Sequence, residues 1–293
     1  MSERILLAPA GWEPRFEEGV YIDIIDFKPS KILISFSQEY SERTLPFRNR
    51  IRAKAQSLSI EYLEFEHDYC DAVSLYKSLL KVFEDHVFTA SKIRFNGTTA
   101  PRDLIWYALH FLSGRKIPTE FSYFRPLEYG SYLSRDARAP RFVLKRSGIA
   151  YPDQPTCVLA LSGFDEERLA QLKQRYEPRK MLIGRQTGDQ LGNKHRNISV
   201  DCDPADEKSY FDFDCYDTSD ISVEILCEKL DELKGSYNVI AASLGPKPCA
   251  ITLFKLTQLR PEIGLVYIPA GDYSENYSTG IELNNRTLVD ISW

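Results

Sequence analysis

The same string of landmarks occurs twice in this chain, in the same order, which restricts it to a duplicated α/β fold. GWEPRF at 11–16 follows the apolar run Ile5 to Ala8, and GFDEER at 163–168 follows Cys157 to Leu161. KILIS at 31 answers KMLIG at 180, and LEFEH from Leu63 answers FDFDC from Phe211. IRFNGTTAPRDLIWYALHFL (93–112) faces VIAASLGPKPCAITLFKLTQL (239–259), with Gly97 and Gly245 at the same place in the turn. FSYFRPLEYGSYLS (121–134) faces GLVYIPAGDYSENYST (264–279). A pseudo-twofold chain of this kind can build one binding site from two equivalent sets of loops.

Each half alternates short apolar runs with amphipathic stretches. The first predicts strands at 4–8, 31–37, 60–66, 92–95 and 119–124, with helices near 15–25, 42–58, 71–85 and 102–112, the last ended by Gly114. The second predicts strands at 157–161, 180–185, 211–214, 237–242 and 263–267, with helices at 165–176, 219–234 and 247–259. Strands alternating with helices imply βαβ units and mostly parallel sheets. The expected fold is therefore α/β: two tandem Rossmann-like βα domains related by internal pseudo-twofold duplication. Boundaries fall at 1–135 for the first repeat, 136–156 for a basic, proline-bearing linker with a short strand at 142–144, and 157–293 for the second. The polar stretch 186–209 replaces the helix of 42–58 and reads as a mobile loop.

A net charge of −5 argues against a broad duplex-DNA surface, which needs a basic footprint, but leaves room for a local basic pocket. No apolar run approaches the ~20 residues of a membrane helix, and the N-terminus lacks a signal-peptide layout, so a cytoplasmic protein without membrane partners is expected. The six cysteines form no CxxC pair. His67, His86, His110 and His195 share no metal spacing, and His110 lies on the apolar face of its helix. There is no GxSxG elbow, no P-loop and no GxGxxG after the first strand. Neither metal nor cofactor is expected. The aspartates from 201 to 220 read as a solvated acidic loop.

Ligands of doubly wound sheets bind at the carboxyl ends of the strands, near the switch in strand order. NGTTAPR and LGPKPCA each place a glycine and then a base at the opening of a helix, an arrangement that favours an anion. The candidates there are Gly97, Thr98, Thr99 and Arg102 in one half, and Gly245 and Lys247 in the other. A tight turn that needs Gly and Pro and binds nothing is the alternative. The loops after the first strands offer Gly11, Trp12 and Arg15, and Gly163, Phe164 and Arg168. They read as an aromatic stacking on a base with an arginine near phosphate, or as a helix N-terminus with an acid in its first turn. Ser37, Gln38, Arg185, Gln186 and Thr187, after the second strands, are within reach of a ligand or form a solvated loop. The tyrosines near 129–132 and 273–277 either close over a site or pack between the halves.

NGTTAPRDLIWYAL and SLGPKPCAITLF resemble the signature of CRISPR-associated Rossmann-fold (CARF) sensor domains, with Lys247 and Arg102 at the position of that family's basic residue. The first turn lacks the signature's second glycine, and Pro246 stands where a small or hydroxyl residue is usual. The resemblance implies two Rossmann units paired about a twofold axis, with a cyclic oligoadenylate bound across it. On that basis the chain is expected to bind a small phosphate-bearing or nucleotide ligand as a sensor in prokaryotic antiviral defence, signalling to a separate effector or assembly protein. Two alternatives stand beside it. One is a ring-nuclease-like enzyme that cleaves a phosphodiester on the same site. The other is a non-catalytic subunit of a defence assembly.

Overall fold

The structure, a computed structural model, describes residues 3–68, 70–187, 208–291 and 293. In chain order the first elements are β1 (Arg4–Pro9), α1 (Pro14–Phe27), β2 (Lys31–Ser37), α2 (Ser41–Ser57), β3 (Glu61–His67) and α3 (Ala72–Val82). They are followed by β4 (Lys92–Asn96), α4 (Arg102–Arg115), β5 (Thr119–Arg125), β6 (Glu128–Tyr129), β7 (Ser134–Arg135) and β8 (Arg141–Phe142). The later elements are β9 (Thr156–Leu161), α5 (Glu166–Tyr176), β10 (Lys180–Gln186), β11 (Lys208–Phe213), α6 (Asp220–Asp231) and β12 (Asn238–Ser243). The chain closes with α7 (Cys249–Leu259), β13 (Gly264–Tyr267), β14 (Asp272–Tyr273), β15 (Ser278–Thr279) and β16 (Glu282–Ile291). The stretch 186–209 lies mostly outside the described residues, as do Asp201, Asp203, Asp206 and His195.

Two compact units result, one built from 1–134 with 273–293, the other from 135–272. The sheet of unit 1 has the order β16-β5-β4-β1-β2-β3, and that of unit 2 has β11-β10-β9-β12-β13-β8. In each, five strands run parallel and the sixth is antiparallel. The duplicated α/β architecture expected from the landmarks is thus the observed one. The partition differs from the sequence boundaries at both sixth strands. β8, in the linker, completes the sheet of unit 2. Residues 273–293, placed by the repeat at the end of the second half, belong to unit 1, where β16 runs against β5 from Thr287 to Ile291. Its residues read as polar because the strand sits at a sheet edge with half of its side chains exposed and one buried.

Apolar strand faces drive the layering. In unit 1, Leu6, Ala8, Ile32 and Ile34 pack against Phe16, Val20, Ile24 and Phe27 of α1 and Ile51 and Ala55 of α2. Each of the larger of these side chains, Leu, Ile, Val or Phe, stabilises by roughly 1.5–3 kcal/mol when fully buried. α1 begins with Pro14, whose fixed φ and missing N–H suit a first helical position, and ends on Lys28 in the left-handed region, φ 50°. α4 is buried along most of its length, with Trp106 fully enclosed. It runs through Gly114 to Arg115, and the left-handed cap is Lys116, φ 52°, rather than the glycine. In unit 2 the matching core joins Val158, Ala160, Met181, Ile183 and Val266 to Leu172 of α5.

Unit 1 also holds a buried charged network. Asp23 of α1 is wholly buried and accepts hydrogen bonds from Asn96 Nδ2 (2.7 Å), Ser122 Oγ (2.6 Å), Arg94 Nη1 (3.2 Å) and Arg286 Nη2. Burial pushes its carboxyl above the ordinary range, while Ser122 and the two guanidiniums pull it back. Four elements, α1, β4, β5 and β16, meet on this one side chain. Among the described residues no helix is long and apolar enough to cross a membrane.

Candidate functional site

In unit 1 the strand order reverses at β1, which pairs with β2 on one side and β4 on the other. The loops after β1 and β4 therefore flank the crevice where a ligand of this architecture sits. They are locked together. A Cβ at Gly11 would lie 2.6 Å from Thr99 Cγ2, so only glycine lets the loops approach this closely. Thr99 Oγ1 donates to Pro9 O at 2.6 Å. Thr98 is fully buried. Its amide donates to Asn96 Oδ1 (3.0 Å) and its hydroxyl accepts from Phe124 N (3.2 Å). Gly97 donates to Ser122 O, and Phe121 fills the space beside it. The amides of Gly97 and Thr98 are thus spent on β5 and Asn96 instead of presenting a cradle for an anion. Asp103, also buried, accepts from Leu104 N at 2.9 Å and brings its own negative charge to the start of α4. Arg102, the first residue of that helix, is half-buried.

Arg15, expected near phosphate, is instead 1% exposed. It pairs with Glu13 at 2.7 Å and donates to Tyr123 Oη (3.3 Å) and Phe124 O (3.2 Å), clamping α1 to the end of β5. Burial opposes its charge, but Glu13, Tyr123 and Tyr129 together offset this and hold the guanidinium above its ordinary value. Arg15 is withdrawn from the ligand set because no face of it reaches solvent. Ser278, on β15, closes the cluster by donating to Glu13 Oε2. Burial pushes the nearby Tyr277 hydroxyl up to about 12. Glu13 adds to the rise, and the charges of Arg15 and Arg102 work against it.

Trp12 lies at the rim. Its ring is half-buried, its Nε1 donates to Ser274 O (3.2 Å), and it touches Tyr40 at 5.0 Å and Tyr273 at 6.1 Å between centroids. The Arg43 guanidinium lies 5.7 Å from the centroids of both Trp12 and Tyr40, and its side chain, 38% exposed, pairs with Glu275 at 3.3 Å. In the sequence Arg43 is one of several bases in 42–58. Most of the others are occupied, with Arg48 and Arg52 on Glu64 and Arg50 on Glu17. The rim of unit 1 thus combines a cluster of tilted and edge-on aromatic rings with a partly exposed guanidinium.

The corresponding turns of unit 2 close backbone on backbone. A Cβ at Gly163 would lie 2.9 Å from Gly245 Cα, and the amides of Leu244 and Gly245 both donate to Leu161 O. The Gly245 amide therefore points into the fold, contrary to the expected anion cradle. Asp165 caps α5 by accepting from Arg168 N (3.0 Å) and pairs with the Arg168 side chain (3.0 Å), which is 8% exposed. Here the capping alternative describes GFDEER, and Arg168, like Arg15, is drawn inward. Phe164 and Lys247 remain half-buried at their loops. Of the candidates on the loops after the first strands and at the openings of α4 and α7, those that keep a partly exposed side chain are Trp12, Thr99, Arg102, Phe164 and Lys247, and Arg43 joins them.

The ends of the second strands differ between the units. In unit 2, Arg185 pairs with Asp212 (2.8 Å). Gln186 bridges Asp214 Oδ1 (2.8 Å) and Cys215 N (2.7 Å). In unit 1, His67 ends β3 opposite Ser37 and is 4% exposed. Burial lowers its imidazole from 6.5 to about 4, with Asp68 opposing the shift. Between those values the unfolded chain takes up a proton that the folded one refuses. Unit 1 is therefore expected to lose stability as the pH falls from 6.5 towards 4, by up to about 3 kcal/mol. Urea midpoints at pH 7 and 4.5 measure this, and His67→Gln should flatten the difference.

No family model and no curated protein matches the chain. Among solved structures, a universal stress protein from Archaeoglobus fulgidus DSM 4304 aligns over 92% of this chain and 97% of its own, at 13% identity and a TM-score of 0.28. The structure of Anabaena Alr3699/HepE in complex with UDP and glucose aligns over 90% of this chain and 68% of that one, at 12% identity and the same TM-score. Likeness at this level carries no argument about function. The class of the protein, a duplicated doubly wound α/β chain, rests on its own strand order.

Proposed function

We propose that this chain is a nucleotide-binding sensor whose ligand sits on the rim of unit 1, above the carboxyl ends of β1 and β4. The observation that carries this is the half-buried Trp12 ring with the Arg43 guanidinium 5.7 Å from its centroid, on the same crevice as Arg102. An aromatic face accepts any base by stacking, and adjacent guanidiniums neutralise phosphates. Lys247 and Phe164 offer the same chemistry, base and aromatic, in unit 2. The resemblance of the β4–α4 and β12–α7 turns to CARF sensors favours a cyclic oligonucleotide as the ligand, in antiviral defence, with the signal read by a separate protein.

Isothermal titration with linear and cyclic oligonucleotides tests the reading. Trp12→Ala should weaken binding about ten- to a hundredfold, the equivalent of losing one base stack. Arg102→Glu should abolish it by placing a second acid beside Asp103. Wild-type affinity in both variants would defeat the proposal.

A further inference from the structure

We propose that the corner formed by the ends of β2 and β3 in unit 1 receives an uncharged hydrogen-bonding group of the ligand, a nucleoside's sugar hydroxyl or base edge. The inference rests on the nucleotide reading of the rim above it. Three buried polar atoms there, Ser35 Oγ, Ser37 Oγ and His67 Nδ1, have no hydrogen-bond partner. Ser37 and His67 are register partners on adjacent parallel strands, and Ser35 lies two residues below Ser37 on the same face. Ser35 is wholly buried, His67 is 4% exposed, and Ser37 is half-buried at the end of β2. Folded proteins leave very few buried polar side chains unsatisfied, and three side by side call for a missing partner.

Unit 2 shows what the same corner looks like when the chain fills it. By strand register, Ser35, Ser37 and His67 take the places held in unit 2 by Gly184, Gln186 and Phe213. Leu161, Phe211 and Phe213 crowd the space beside Gly184, and the Gln186 amide satisfies the strand ends by bridging Asp214 and the Cys215 amide. Unit 1 keeps small hydroxyls and an imidazole at these places and supplies no side chain to join them. Hydroxyls both donate and accept, and a neutral imidazole does one at each nitrogen. Together they match a group with mixed donors and acceptors and no charge, in contrast to the guanidiniums of the rim.

The test compares wild type with Ser35→Ala/Ser37→Ala, using the four ribonucleosides and a panel of linear and cyclic nucleotides. At least one ribonucleoside should bind wild type, and the double variant should bind it at least tenfold more weakly. The unliganded variant should melt at the same or a higher temperature, because removing a hydroxyl that has no partner removes an unpaid desolvation. A lower melting temperature would show that the hydroxyls are already satisfied and would overturn the inference. So would equal nucleoside affinity in both proteins, or nucleotide binding without any nucleoside binding; either result leaves the Trp12 rim standing. Failure of every nucleotide as well would remove both.

Discussion

A chain cut after Asp272 should lose the cooperative unfolding of unit 1 while unit 2 retains its own transition. The cut removes β15 and β16 and strips β5 of its antiparallel neighbour. It also removes Ser278 from Glu13, Arg286 from Asp23 and Asp26, the buried Ile281 and Ile291, and the Trp293 Nε1 bond to Ile117 O. Losing two buried isoleucines costs roughly 3–6 kcal/mol. Leaving Asp23 short of a partner adds a further penalty of a few kcal/mol. Together these rival the whole stability of an ordinary domain, about 5–15 kcal/mol. Calorimetry of the cut chain should show one transition, assignable by hydrogen exchange to residues of 135–272. Two preserved transitions would mean that β16 is an ornament on a self-sufficient sheet.

Asp23→Ala is expected to destabilise unit 1 by about 3–5 kcal/mol, the usual cost of breaking a buried ion pair from one side. Arg94 is 5% exposed, and without Asp23 it faces Arg286 with Glu120 and the more distant Asp26 as remaining counter-charges. Asn96 and Ser122 lose their acceptor at the same time. Asp23→Ala combined with Arg286→Ala should cost less than the two single changes added, because the residues act on one another. Additivity in that cycle, measured by urea denaturation, would mean that the network is not coupled.

The duplication, the βα order and most strand positions were legible because buried parallel strands are apolar throughout and glycine marks their turns. What the sequence hid has physical reasons. β16 escaped notice because an edge strand with exposed side chains carries no apolar run, and because the repeat placed it in the wrong unit. Arg15 and Arg168 sit in matched motifs that look like ligand contacts, yet both are drawn inward by an acid close by in the sequence, Glu13 and Asp165. Sequence spacing does not say which way a guanidinium turns. Arg43 is one base among several in α2, and only its place beside the Trp12 and Tyr40 rings singles it out. Ser35, Ser37 and His67 read as a strand running into a polar loop, and their want of partners is visible only in three dimensions.

The most direct test of the central claim is thermal stability of the whole chain against linear and cyclic nucleotides, repeated with Trp12→Ala. A ligand at 100 times its dissociation constant should stabilise by about 2.7 kcal/mol. The account predicts a clear upward shift with at least one nucleotide, much reduced in the Trp12 variant. No shift with any nucleotide, or a shift that Trp12→Ala leaves unchanged, would contradict it.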